Sequence, residues 1–149
     1  MNNVLDNSPA EILRQLLIDL GLGIAYSAAT TSWQLAVGQE PNMPTDIITL
    51  YDAGGSVLQG RLQNSGNMVE KYGVQVRVRS DRYQEGWKKA NAIASSLDTD
   101  VRLTQVSISN NNYLVYAINR IGGVISIGSD KSNRSVFTLN LLMTLKQES

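Results

Sequence analysis

Apolar positions recur at two different periods along the chain, and the switches between them outline its elements. Ile12, Leu13, Leu16, Leu17 and Leu20 fall at helical spacing and make one apolar face. Ser8 suits an N-cap, Pro9 suits the first helical position, and Glu11 completes a capping box. Gly21 followed by Leu22 suits a left-handed stop. These signals predict a helix over residues 9–20. Alternation then takes over. Residues 33–37 and 46–51 read as strands. The segment GQEPNMPT, residues 38–45, reads as a loop because it holds two prolines. DAGG, residues 52–55, reads as a turn.

The middle of the chain, GVQVRVRSDRYQEGWKKANAI over residues 73–93, changes period with no glycine or proline at the switch. Tyr72, Val74, Val76 and Val78 share one face of a strand, and Gln75, Arg77 and Arg79 share the other. That is the pattern of a half-buried strand in an antiparallel sheet. Asp81 is the expected N-cap of the helix that follows, with Gln84 three residues on. Tyr83, Trp87, Ala90, Ile93, Ala94 and Leu97 line one face of that helix. Gly86 inside it costs about 1 kcal/mol against Ala, and close packing on a sheet would give it a purpose. DTD, residues 98–100, reads as a turn. Strands are expected at 101–108, 113–118 and 121–127, with turns at 110–112 and 128–134. The clearest strand is the last, where Phe137, Leu139, Leu141, Met143 and Leu145 alternate. Residues 56–70 have few apolar anchors and fit either an exposed hairpin or an arm that orders on binding.

This order implies one α+β domain over residues 1–149, with a mostly antiparallel β-sheet and two helices packed on one face. The helices would cover Val74, Val76, Val78 and one face of the last strand. Gln75, Arg77, Arg79 and the threonines would occupy the other face.

Composition narrows the function. The 13 basic and 13 acidic residues give no net charge. A nucleic-acid binder ordinarily shows a basic excess. Cysteine and histidine are both absent. Disulfides, thiolate metal sites and thiolate catalysis are thereby excluded, as is any triad that uses histidine. An enzyme would have to work with carboxylates, Lys or Tyr. No apolar run approaches the ~20 residues of a membrane span. The opening MNNVLDNSPAE is polar and acidic, unlike a signal peptide. Retention in the cytosol, or packaging from it, is expected.

The candidate chemistry is sparse. Asp98, Thr99 and Asp100 have the opening spacing of a calcium loop, but its later Gly and Glu are missing. Asp52 and Asp130 lie in turn-forming contexts, which suits turn chemistry better than catalysis. Gly54 and Gly55 follow a strand, but no helix starts after them, so a phosphate loop is unsupported. Arg77 and Arg79 are either solvated residues paired with a cross-strand carboxylate or contacts to a partner.

Four stretches together resemble one family. They are PTDIITLYDAGG (44–55), VQVRVRS (74–80), YQEGWKKANAI (83–93) and IGSDKSNRSVFTLNLLM (127–143). Their order is similar to that in the minor capsid and tail-terminator proteins of tailed bacteriophages. The matching positions are Asp52, Gly54 and Gly55; Arg79 and Ser80; Tyr83; Gly128, Asp130 and Arg134; and Asn140. The resemblance implies a small α+β subunit that assembles into a ring, typically of six. Such a ring caps the tail tube, stops its growth and joins it to the head. The implied partners are further copies of the chain, the tail tube protein and head-completion or neck proteins. DNA would pass through without specific binding, with no cofactor and no membrane. The place of action would be the virion, assembled in the host cytoplasm. Candidate interface residues are Gln75, Arg77 and Arg79, with Arg61 and Glu70 from the adjoining segment. The alternatives are a neck protein and a small non-enzymatic adaptor acting as monomer or dimer.

Overall fold

A computed structural model describes residues 5–27, 33–54 and 70–148. Its elements in chain order are α1 (Pro9–Asp19), β1 (Ile24–Ala25), β2 (Gln34–Val37), β3 (Ile47–Gly54), β4 (Glu70–Ser80), α2 (Tyr83–Asp100), β5 (Thr104–Ile108), β6 (Asn111–Arg120), β7 (Ile125–Ser129) and β8 (Ser135–Glu148).

α1 forms as its ends dictate. Ser8 Oγ accepts from Glu11 N at 3.2 Å, and Glu11 Oε1 accepts from Ser8 N at 2.9 Å. At the other end Gly21 has φ +79°, Gly21 N donates to Ile18 O, and Leu22 N donates to Leu17 O, both at 2.9 Å. This is a Schellman ending. Ala10, Ile12, Leu13, Leu16 and Leu17 are buried. Burying a Leu or Ile side chain gives about 1.5–3 kcal/mol, against propensity differences of about 0.7 kcal/mol or less per residue. Packing therefore decides that this segment is helical.

The strands run β1-β2-β3-β4-β8-β6-β5, and β7 pairs with β8 beside that path. β1–β2 and β2–β3 are parallel, and the other pairings are antiparallel. β8 is the spine. β4 follows one edge of it from Ser135 to Leu145. On its other edge, β7 takes residues 135–138 and β6 takes residues 141–148. Register sets Ile48, Val78 and Phe137 in one row, and Leu50, Val76 and Leu139 in the next. On this face α1 buries Ile12, Leu13, Leu16 and Leu17 and α2 buries Ala90, Ile93, Ala94 and Leu97 in one continuous core, while Tyr83 and Trp87, expected on the same stripe, stay exposed. The α+β class, the antiparallel majority and the placing of both helices agree with the sequence.

Several boundaries differ. Arg82, not Asp81, is the N-cap of α2, and its own N–H is held by Ser80 Oγ at 3.2 Å. α2 continues through 98–100, where a turn was expected. The strand expected from 101 starts at Thr104, because Leu103 takes φ +51°. The strand expected over 121–127 is displaced to Ile125–Ser129, and β6 runs on to Arg120. DAGG is no turn as far as Gly54, which ends β3. The register shifts between Asp52 and Gly54, and a Cβ on facing Gly73 would overlap the Gly54 carbonyl oxygen. Most of the segment 56–70 lies outside the described residues; only its last residue, Glu70, enters β4.

Gly86 has the purpose that the pattern suggested. A Cβ there would lie 2.8 Å from Phe137 Cε2 and 3.3 Å from Ser80 Cβ. Phe137 is fully buried and edge-on to Tyr83 and Trp87. Gly86→Ala gains about 1 kcal/mol of helix propensity but overpacks the ring at about 1–3 kcal/mol. Urea unfolding should therefore show a net loss near 1 kcal/mol. A more stable variant would mean that α2 does not rest on Phe137.

Candidate functional site

The face of β4 away from the helices carries Gln75, Arg77 and Arg79. It is not open along its whole length. β2 and β3 are parallel, so the chain leaving β2 must return to the start of β3 before it can enter it. Residues 38–46 make this return across the second face. An irregular segment with two prolines cannot satisfy its carbonyls through a strand ladder, and β4 supplies donors instead. Arg79 Nε donates to Thr45 O at 3.2 Å, and its Nη2 donates to Asn42 O at 3.1 Å and to Pro44 O at 2.8 Å.

Glu40 supplies the counter-charge. Its Oε1 lies 2.9 Å from Arg77 Nε and its Oε2 lies 3.3 Å from Arg79 Nη1. Arg134 closes the cluster from the β7–β8 turn. Its Nη1 donates to Asn42 O at 2.7 Å, its Nη2 to Asn42 Oδ1 at 3.1 Å, and its Nε to Asp130 Oδ2 at 2.9 Å. Asp130 Oδ1 accepts from Ser132 N and Arg134 N, each at 2.9 Å. Ser80 Oγ donates to Asp46 Oδ1 at 2.7 Å, where the loop rejoins β3.

Burial draws the Arg79 guanidinium below its ordinary value, and neighbouring Arg134 adds to this. Glu40 and Asp130 act the other way. Arginine titrates so high that the group stays charged. Burial, then Glu40, raises the Tyr51 hydroxyl beside it. The Asp130 carboxyl is held below the usual range, first by the Arg134 backbone N–H and then by Ser132 N–H and the Arg134 side chain.

The expectation of an open arginine face fails at Arg79, which is 1% exposed. Arg77 is half-buried and paired with Glu40. Gln75 Nε2 donates to Oδ1 of Asn140, its register partner on β8, at 3.3 Å. Arg61 lies outside the described residues, as does the side chain of Glu70. The candidate carboxylates have separate structural partners. Asp52 Oδ1 accepts from Ala10 N at 2.8 Å and so ties β3 to the start of α1. Asp98 holds Arg120 through two bonds of 3.0 and 2.7 Å, and Asp100 accepts from Ser96 Oγ at 3.1 Å. Among the described residues no group of three or more His, Cys, Asp or Glu could hold a metal ion. The arrangement therefore fixes a loop; its acceptors are already occupied. Sequence reasoning missed Glu40, Asn42 and the loop's return path. The one available signal was a lone carboxylate in a proline-rich loop preceding a strand with two arginines.

Arg79→Ala should cost about 3–5 kcal/mol in urea unfolding, because it strands loop carbonyls and a partly buried Glu40. Arg77→Ala should cost about 1 kcal/mol or less, since its pair is solvent-screened. Equal costs would remove Arg79 from its central role. Asp130 has a depressed carboxyl, so its contribution to stability is present at neutral pH and is lost as pH falls below about 4. Asp130→Asn should flatten that part of the acid limb in a stability-against-pH series, and an unchanged limb would contradict the assignment.

No curated protein matches the chain. No helix among the described residues is long and apolar enough to cross a membrane. A protein-family model described as bacteriophage tail terminator protein matches residues 16–147. That span contains the whole clamp, from Glu40 through Arg79 and Ser80 to Asp130 and Arg134. It covers nearly the full chain, and the chain belongs to the bacteriophage tail terminator family.

Proposed function

We propose that the protein is a virion component that closes with copies of itself into a ring at the end of the phage tail tube. There it stops polymerisation of the tube and joins tail to head. The role is structural and uses no catalysis. The family match over residues 16–147 carries this reading.

Physical features support it. The chain has no net charge, so it lacks the repulsion that keeps copies apart. A neutral ring also lets DNA pass without retaining it, because affinity for phosphate grows with the cations presented. β7 is exposed along its whole length, with Ile125 at 48% and Ile127 at 49%. Among the described residues no strand pairs with its outer edge. Soluble monomers normally blunt such an edge with charge or proline, and β7 has neither. A second copy covering this strand suits a ring contact. Gln75 and the half-buried Arg77 remain candidate contacts on the second face, whereas Arg79 is fully used by its own chain.

Light scattering over a wide concentration range tests the reading. The expected species is a closed ring of fixed mass. Ile125→Lys combined with Ile127→Lys should leave a folded monomer. A wild-type chain that stays monomeric at every concentration, with or without tail tubes, would contradict the proposal.

A further inference from the structure

Beside the outer edge of β2 lies a cleft of about 730 Å³. Its walls are Glu11 and Arg14 of α1, Tyr26, Ala36 and Val37, and the stretch from Gln39 to Pro41. That volume is in the range of real binding pockets. Its charges are unevenly used. Glu11 is engaged by Ser8 N, and Glu40 gives one oxygen to Arg77 and the other to Arg79. The Arg14 side chain has no hydrogen bond or ion pair among the described residues, and its Nε is buried without a partner. An unpaired guanidinium N–H shut away from water is costly and signals a missing acceptor.

Among the described residues a second group is open beside it. Ile24 N donates to Trp33 O and Tyr26 N donates to Leu35 O, both at 3.1 Å. Alternate residues of β2 thus turn their backbone groups outward, and Val37 is the next to do so. β1 reaches only Gln34 and Leu35, so it puts nothing opposite Val37. The cleft therefore offers a strand edge, a half-exposed tyrosine and an unpaired guanidinium together. Backbone edges take extended polypeptide, and a neighbouring pocket selects a side chain. Arginine's planar fork selects a carboxylate.

We infer that this cleft docks an extended segment of a different protein, with an Asp or Glu side chain placed on Arg14. The exposed strands of a second copy do not fit this description. β1, β5 and β7 read IA, TQVSI and ISIGS, with no carboxylate among them. On the tail-terminator reading, on which this inference rests for its setting, the partner is another tail or neck component.

The test places a photo-crosslinking amino acid at exposed Gln39 in the full chain, expressed from the phage during infection. The crosslinked peptide is then identified by mass spectrometry. The expected product is one segment of another protein with Asp or Glu within a few residues of the crosslink. Its yield should fall at least about tenfold in Arg14→Gln, the usual weight of a charge-assisted hydrogen bond. Arg14→Lys should retain part of it, and thermal unfolding of both variants checks that they fold. Crosslinks only to a second copy or to nucleic acid, no crosslink at all, or a yield indifferent to Arg14→Gln would overturn the inference. The same infected cells show whether the chain enters particles. Absence from particles would defeat the tail reading while the crosslink still scores the cleft.

Discussion

The buried guanidinium of Arg79 is the constraint from which the second face of the sheet follows. Parallel pairing of β2 with β3 forces residues 38–46 back across the sheet. That return leaves carbonyls over a buried surface, and Arg79 answers three of them while sharing Glu40 with Arg77. Taking a charge out of water costs several kcal/mol, so such a group persists only with excellent geometry and full pairing. Arg79 has both. The β7–β8 turn is tied into the same loop through Arg134. Two side chains, Arg79 and Arg134, thus tie the loop between β2 and β3 to β4 and to the turn that leads into β8.

The helix-covered side of this molecule was legible because burial there leaves a period. α1 announced its cap, stripe and stop residue by residue, and β8 alternated over most of its length. Gly86 was readable as a packing site, since a mid-helix glycine has a cost that needs a reason. The other side was not legible. β1 has two residues, too few to show a pattern, and without it the parallel edge could not be inferred. An alternation of Val with Arg reads as a solvated face whether the arginine meets water or its own loop. Asp81 and Arg82 are adjacent, and α2 starts one residue later than the Asp81 signal suggested, with no side-chain cap and with the Arg82 N–H held by Ser80 Oγ. The family motifs were readable as motifs, but their convergence on one loop needed three dimensions.

That convergence changes what the motifs mean. Pro44, Arg79, Ser80, Asp130 and Arg134 are partners of one another or of the same loop. They maintain a shape, and they do not reach outward. On the proposed ring reading, contacts between copies fall to the surfaces outside this cluster, the bare edge of β7 and the half-exposed part of the second face, while the cleft beside β2 is left for a different protein. A structural protein can use such a division, with rigid internal polar pairing and neutral, partly apolar surfaces for assembly.

The most direct measurement images tail tubes polymerised with and without the purified chain by electron microscopy and scores tube length and tube ends. Tubes should stop growing when the chain is added, and extra ring-shaped density should sit at one end only. Tubes that keep growing, with both ends bare, would contradict it.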